Sequence, residues 1–433
     1  IMKKIKIVYL LCHPPHPIIK NIREPEEYFK STGAGEYIKL SQEPYWVGFF
    51  TKDHHAVAAE ELKKITDDFD IECWRPYGSS IKSTYTKEVN GITHRVFPSF
   101  SINIPQVGAG TFSPQLLKFL YTYIKENNVI LNISVGHAWF NIWLLLKISS
   151  VKKMLPIIAV QISGGFKKTC YKELHPIKKV FKWYYLIEHL FDIKSLAYTD
   201  YYLIGSKVEF DLVKNNKKIN AKFYSPGVDF SFFKPSKDKN KLRFELGLPA
   251  DKKIMIVTGN FRSSDYGYHH LIDCFCEIRK EHNDLLLIMV GGYKNEDLYK
   301  KGINAGALMI ERVSKEKLLK YFQASDFYGQ PSLNFGFINF GGFGYAMMEA
   351  LACGLPILSQ NIIHFPGTPE ERNEIGLDMP TVEDLKRNMI FLKENHHKFK
   401  RTREIARKYF DIEKTKLVLL DHYRQLSEQY FGK

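Results

Sequence analysis

The chain has 433 residues, 45% of them hydrophobic and 25% charged, enough apolar material for two or three folded domains and unlike a disordered polypeptide. Its formal net charge of +15 favours phosphate-bearing ligands, whether nucleotide, nucleic acid or anionic bilayer. No nucleic-acid-binding signature accompanies that charge, so nucleic acid is not expected as a partner. No run of about 18 apolar residues occurs, so no transmembrane helix is expected.

The first predicted element is a buried strand over 5–11. The apolar run IKIVYLLC ends at His13-Pro14-Pro15-His16, too soon for a secretory signal. Residues 20–52 have no clear period and read as a surface insertion or long loop that covers a site. A helix over 55–66 precedes a strand over 69–74. Asp68-Phe69-Asp70 at this junction matches the Asp-x-Asp string of metal-dependent transferases. Its place at a helix end argues for coincidence, and no metal is predicted. Strands over 93–97 and 129–134 flank a helix that opens at Ser113-Pro114, a cap followed by proline at the first helical position. A helix over 138–150 and strands over 156–161, 201–204 and 222–224 complete this half. Alternating strands and helices imply a parallel, doubly wound sheet. His16 and His137 follow strand ends, where ligands of such sheets bind, so both are candidates for contact with a substrate. For His137 a structural role is weighed equally. Residues 175–194 set Lys178, Lys179 and Lys182 beside Trp183, Tyr184 and Tyr185. That composition suits either an anionic membrane interface or an amphipathic helix packed on the sheet.

The pattern then restarts. Strands are predicted over 254–258, 285–290, 307–310, 326–329 and 356–358, with helices over 266–281, 314–324 and 344–352 and charged amphipathic helices over 383–431. The break falls near Pro226–Pro235. The predicted division is therefore a domain over 1–225, a second over 226–405 and a C-terminal helix over 406–433, in the α/β class. The six cysteines, Cys12, Cys73, Cys170, Cys274, Cys276 and Cys353, lack zinc spacing and read as reduced, buried thiols of a cytoplasmic protein.

The most informative segment is 323–358. A strand ends near Gln330, and the glycine-rich loop Gly341-Gly342-Phe343-Gly344 opens a helix. Such a loop lets backbone N–H groups and the helix N-terminus face an anion. Glu349 lies about one and a half turns into that helix, where its carboxylate could accept hydrogen bonds from a ribose diol. The helix closes at Cys353-Gly354, and Pro356 leads into the next strand.

This segment resembles the donor signature of retaining glycosyltransferases of family four. There the loop reads Glu-Gly-Phe-Gly, then four residues, Glu-Ala and a Cys-Gly-x-Pro exit. Gly342, Phe343, Gly344, Glu349, Ala350, Cys353, Gly354 and Pro356 match it. SPGVDFSFFKP (225–235), VSKEKLLKYFQASDFYGQPSL (313–333), NGITHRVFPS (90–99) and NVILNISVGHAWF (128–140) resemble further family segments in the same order. The resemblance implies a GT-B fold, two Rossmann-like domains facing across a cleft, with the last helix crossing back to the first domain. It implies a sugar moved with retention, and without metal, from a nucleotide-sugar donor such as a UDP- or GDP-sugar to a glycan, lipid-linked or small-molecule acceptor. Glu349 would hold the donor ribose. The backbone of Gly342, Phe343 and Gly344 would face the diphosphate or sugar, and Glu311-Arg312-Val313 would lie against the base. The His13–His16 loop would close over the donor. Residues 175–194, if they form the membrane interface rather than a helix packed on the sheet, would meet a membrane on its cytoplasmic face.

The sequence also departs from the family. Gly341 replaces the first glutamate of the motif. Asn260 stands at the place of an arginine and Tyr266 near that of a lysine, both of which neutralise the leaving diphosphate in the family. Arg262 is displaced by two residues. The histidine expected after the strand at 156–161 is missing, and His54-His55 stands where the family has Gly-Gly. Departure of a diphosphate needs its charge stabilised as the bond breaks. Arg262, Lys167, Lys168 and His270 are the candidates to take over. The alternative is a degenerate GT-B pseudo-enzyme acting as a partner or binding subunit. Candidate donor residues are Gly341, Gly342, Phe343, Gly344, Glu349, Asn260, Arg262, Arg312 and Val313. His16, His137 and Arg262 are the catalytic candidates.

Overall fold

The computed structural model describes residues 4–11, 56–77, 83–104, 108–134, 155–161, 198–261, 267–293, 296–311, 313–331 and 343–432. The chain divides into two compact units. One holds the described residues up to Pro226 together with those from Thr415 onward; the other spans Gly227–Lys414.

The first unit is built on an eight-stranded sheet. With elements numbered in chain order, its strands are β1 (Ile5–Leu10), β2 (Phe69–Tyr77), β3 (Tyr85–Val89), β4 (Ile92–Pro98), β7 (Val129–Ser134), β8 (Ile157–Gln161), β9 (Tyr201–Ile204) and β10 (Ala221–Phe223). Their order is β10-β9-β8-β7-β1-β2-β4-β3. Every pairing is parallel except β3 with β4. β5 (Phe100–Ile104) and β6 (Gly108–Phe112) form a separate antiparallel hairpin. Central strands that read as almost continuous apolar runs are what a parallel sheet covered on both faces requires. In β1 the faces alternate: Ile5, Ile7 and Tyr9 join one core cluster, Val8 and Leu10 the other. The second face is covered by α2 (Pro114–Glu126), whose cap Ser113 accepts from the Leu116 N–H at 3.2 Å and donates to the Pro98 carbonyl at 2.6 Å. The first is covered by α1 (Val57–Ile65) and by Leu419, Leu420, Tyr423 and Leu426 of the last helix.

The second unit carries the all-parallel sheet β13-β12-β11-β14-β15-β16. Its strands are β11 (Lys253–Phe261), β12 (Leu285–Tyr293), β13 (Leu308–Glu311), β14 (Phe327–Gln330), β15 (Ile357–Ser359) and β16 (Gly376–Leu377). Counted within the unit, this is the order 3-2-1-4-5-6 of a Rossmann sheet, and the direction of winding reverses between β11 and β14. Alternate residues of β11 again feed two clusters, Ile254 and Ile256 on one face, Met255 and Val257 on the other. At the amino end of β14, the buried Asp326 carboxylate accepts from Arg243 and from the Ile254 N–H, both at 2.7 Å.

The described helices of this unit are α4 (Lys239–Glu245), α5 (Tyr268–Glu281), α6 (Glu296–Asn304), α7 (Lys315–Ala324), α8 (Tyr345–Ala352), α9 (Pro369–Ile375), α10 (Val382–Asn395) and α11 (Thr402–Phe410). α3 (Lys207–Val213) belongs to the first unit, and α12 (Ile412–Phe431) runs from the second unit's last residues into the first unit's core. Two Rossmann-like α/β units, the expected fold class, are thus present.

Several local findings depart from the sequence reading or refine it. The sequence reading does not anticipate β3, the β5–β6 hairpin or β16. Cys276 is exposed while Cys73, Cys274 and Cys353 are buried, which corrects the expectation for that thiol. Two residues along a helix rotate about 200°, so Cys274 and Cys276 cannot share the buried face. Both carboxylates of Asp68-Phe69-Asp70 are engaged by cations. Asp70 meets Lys4 at 3.1 Å and Lys6 at 2.5 Å, and Asp68 meets Arg424 at 3.0 Å. The helix expected over 138–150 and the segments 20–52 and 175–194 lie outside the described residues. Among the described residues, no helix is long and apolar enough to cross a membrane.

Candidate functional site

The site lies at the carboxyl edge of the second unit's sheet, where β11 and β14 diverge. Ligands of doubly wound sheets bind outside the carboxyl ends of the strands, at the point where winding reverses. β11 pairs with β14 from Met255↔Phe327 to Val257↔Gly329, and with β12 on its other side as far as Phe261↔Tyr293. Beyond Val257, therefore, Thr258 and Gly259 border an edge that β14 does not fill. Close packing fixes Gly259: a Cβ there would lie 2.4 Å from the Tyr268 hydroxyl at the start of α5.

Opposite stands α8. Its cap, Gly344, has no side chain of its own to close the helix N-terminus, the positive end of the helix. The residue before it does the anchoring. Phe343 is buried, stacked on Phe410 at 5.0 Å and tilted against Phe365 at 5.5 Å. Its ring is therefore core, which leaves the backbone as the part of this loop that can meet a ligand.

The other end of α8 is fixed as firmly. The Gly354 N–H bonds the Leu351 carbonyl and the Leu355 N–H bonds the Ala350 carbonyl, with Gly354 left-handed at φ 81°. That is a Schellman closure. Arg403 then reaches the carbonyls of Ala352, Phe233 (2.7 Å) and Phe230 (2.8 Å), placing a cation at the negative end of the helix.

Glu349 is held between these fixed ends. It is half-buried, and among the described residues no side chain donates a hydrogen bond to its carboxyl. Burial lifts its pKa to about 7, against the pull of the Lys315 ammonium. Lys315 opens α7 and lies over the ring of Phe233 at 5.2 Å and that of Phe232 at 5.9 Å. A desolvated carboxyl with unused acceptor capacity can take hydroxyl donors from a ligand.

A relay of side chains, which sequence reasoning does not single out, crosses the switch point. Thr258 Oγ1 lies 3.2 Å from Tyr328 Oη, and Tyr328 Oη donates to Gln330 Oε1 at 3.3 Å. Tyr328 is fully buried, which raises its hydroxyl pKa far above the ordinary value, and the Glu349 charge acts in the same direction. A Cβ built on Gly344 would lie 3.9 Å from Gln330 Nε2, so this amide adjoins the start of α8. The available signal was a polar residue at the end of a strand that borders the switch point.

Of the sequence candidates, Phe343, Gly344 and Glu349 share this edge. Asn260 is the penultimate residue of β11, paired with Gly292. Val313 lies between β13 and α7 and packs partly buried against the core. His270 is in the first turn of α5 and half-buried. Gly341, Gly342, Arg262, Arg312, His16, His137, Lys167 and Lys168 lie outside the described residues.

This combination, a helix start without a side-chain cap over a Rossmann switch point and an acid further along the helix, can be compared with known proteins. Residues 238–409 match the family model of glycosyl transferases group 1. Curated relatives include D-inositol 3-phosphate glycosyltransferases. The one from Segniliparus rotundus is 27% identical over 150 residues, 33% of this chain and 32% of the relative. The one from Mycobacteroides abscessus is 24% identical over 195 residues, 42% and 41% of the two chains. The chain therefore spans about a third of the length of the first of these relatives. Solved structures agree over almost the whole chain. Sucrose-phosphate synthase from Thermosynechococcus elongatus superposes with a TM-score of 0.63 at 15% identity, covering 97% of this chain and 99% of that one. Anabaena HepE in complex with UDP gives 0.60 at 13% identity, covering 97% and 100%. The fold is that of the GT-B glycosyltransferases.

Proposed function

We propose that the protein is a glycosyltransferase that takes a sugar from a nucleoside-diphosphate donor and passes it to an acceptor hydroxyl, with retention of anomeric configuration and without a metal ion. The observation that carries this reading is the placement of Glu349, an acid without a donor among the described residues, in a helix whose N-terminus opens on the Rossmann switch point. Its carboxylate takes the ribose hydroxyls, and the backbone at Gly344 faces the diphosphate. The anion is stabilised by the helix start, with Arg262, Lys167, Lys168 or His270 as the cations that replace the family's arginine and lysine. The pairing of Asp68 and Asp70 with Arg424, Lys4 and Lys6 supports a reaction that does not use that string for a metal. Base contact through Arg312 and Val313, catalytic roles for His16 or His137, and cytoplasmic action on a membrane-borne acceptor through residues 175–194 belong to the same proposal.

The test is a thermal-shift panel of UDP, GDP and ADP. One of them raises the melting temperature by mass action, and Glu349→Ala abolishes the shift. Incubation of the matching nucleotide-sugar with candidate acceptors then releases nucleoside diphosphate, undiminished by EDTA. Nucleotide binding without any release across acceptors would favour the degenerate, partner-binding alternative. No binding at millimolar nucleotide would remove the donor site altogether.

A further inference from the structure

We propose that Gln330 is a donor-binding residue whose side-chain amide, oriented by Tyr328, donates hydrogen bonds to the terminal phosphate of the bound nucleoside diphosphate. The inference rests on the donor-site reading above and adds a residue to it.

The argument is one of hydrogen-bond polarity. A tyrosine hydroxyl has one proton to give. Here Tyr328 donates it to Gln330 Oε1, and Thr258 Oγ1, 3.2 Å away, is left to donate to the Tyr328 oxygen. Burial keeps the Tyr328 proton in place. With Oε1 accepting the Tyr328 proton, the NH2 branch is the one turned away from the tyrosine. That branch lies beside Gly344, at the N-terminus of α8. Among the described residues, no acceptor meets Nε2. The backbone is held as well: Ser359 Oγ donates to the Gln330 carbonyl at 3.2 Å.

A side-chain NH2 beside the start of a helix supplies what an anion requires and a cation refuses. It does so where the sequence lacks the arginine and lysine that the family resemblance leads one to expect. A fixed neutral donor substitutes for part of the missing charge. It recognises the phosphate by direction rather than by long-range attraction. Tyr328 is a positioning residue in this scheme, acting only through the amide.

Gln330→Glu tests this cleanly. The carboxylate still accepts from Tyr328 but replaces the NH2 by an oxygen that repels phosphate. Affinity is measured by calorimetry for UDP, GDP and ADP and for the corresponding monophosphates. Diphosphate affinity should fall tenfold or more in Gln330→Glu, an order of magnitude typical for a charge-assisted bond replaced by repulsion. Monophosphate affinity should change by less than about threefold, because only the terminal phosphate is lost from that contact. Tyr328→Phe should weaken diphosphate binding by a smaller factor, and should add nothing in a Gln330→Met background, since its effect passes through the amide. Wild-type diphosphate affinity in Gln330→Glu, equal losses for mono- and diphosphates, or additive effects of the two substitutions would overturn the assignment. A wild-type protein that binds none of the three diphosphates would instead overturn the donor-site reading, a separate and recognisable result.

Discussion

A carboxyl with a pKa near 7 makes folding stability, and the donor binding proposed for it, pH-dependent in a direction that can be worked out. Glu349 titrates at about 7 in the folded chain and near 4.5 when exposed. The folded state therefore binds the proton more tightly than the unfolded one. Glu349's contribution to stability is fully present below about pH 4.5 and is lost as pH rises through about 7. The full difference corresponds to roughly 3 kcal/mol at about 1.4 kcal/mol per pH unit. Glu349→Gln, which cannot ionise, should match wild type in denaturant titrations at pH 4.5 and exceed it at pH 8. Equal stability at pH 8 would contradict the assignment. Binding should show the opposite trend. If Glu349 holds the donor's ribose as proposed, the ribose hydroxyls favour the ionised carboxylate, and the affinity of the wild type for the nucleoside diphosphate it binds should rise from about pH 6 to about pH 8. The difference from Glu349→Gln removes the nucleotide's own titration. Glu349 is visible in the sequence because its distance from the glycine loop is a local, helical quantity. Thr258, Tyr328 and Gln330 are not, because they meet only once β14 lies beside β11, and strand adjacency is not encoded in local spacing.

Elements whose bounds are set by local chemistry are the ones the sequence displays. α8 begins and ends where its glycines require. The pattern at Ser113-Pro114 marks the start of α2 for the same reason. Gly354 tests how much of this is conformational. Its φ of 81° suits glycine, whereas a Cβ would come no nearer than 3.4 Å to Pro235 Cγ, so space is not the obstacle. Gly354→Ala should therefore cost about 1 kcal/mol, the left-handed penalty, and Gly354→Val more, as read by the denaturant midpoint. A cost near zero would mean the Schellman closure adapts. β3 shows the opposite case. It is an alternating strand of partly exposed residues at a sheet edge, joined to β4 by Asn90 and Gly91 at φ 52° and 73°. An Asn-Gly pair between such runs is a strong hairpin signal. A search for buried apolar runs passes over it, since half of an edge strand faces water. Residue alternation, not hydrophobicity, was the information to read.

At the scale of the molecule, the chain's ends are brought together by packing that no local pattern announces. Residues from Thr415 onward follow the second unit in sequence but belong to the first. Leu419, Leu420, Tyr423 and Leu426 are almost fully buried there, among Ile5, Ile7 and Tyr9 of the first strand. Amphipathic periodicity identifies the helix; only the core it completes shows where it goes. Tyr423 concentrates this dependence. Its ring packs on Tyr9 and Phe69, and its hydroxyl accepts from Asn132 Nδ2 at 2.7 Å in the middle of β7. Tyr423→Phe leaves the buried Asn132 amide without that acceptor, and should cost about 1–2 kcal/mol. Tyr423→Ala also opens a cavity, and should cost about 3 kcal/mol or more. Because the clusters that enclose β11 and β14 are made of other residues, the damage should be local. Hydrogen exchange should speed up in β1, β7 and β8 of the Tyr423→Ala protein, while β11 and β14 keep their protection. Uniform acceleration across both sheets would show instead that the two units unfold as one, and that the last helix stabilises the second unit's sheet as much as the sheet it packs on.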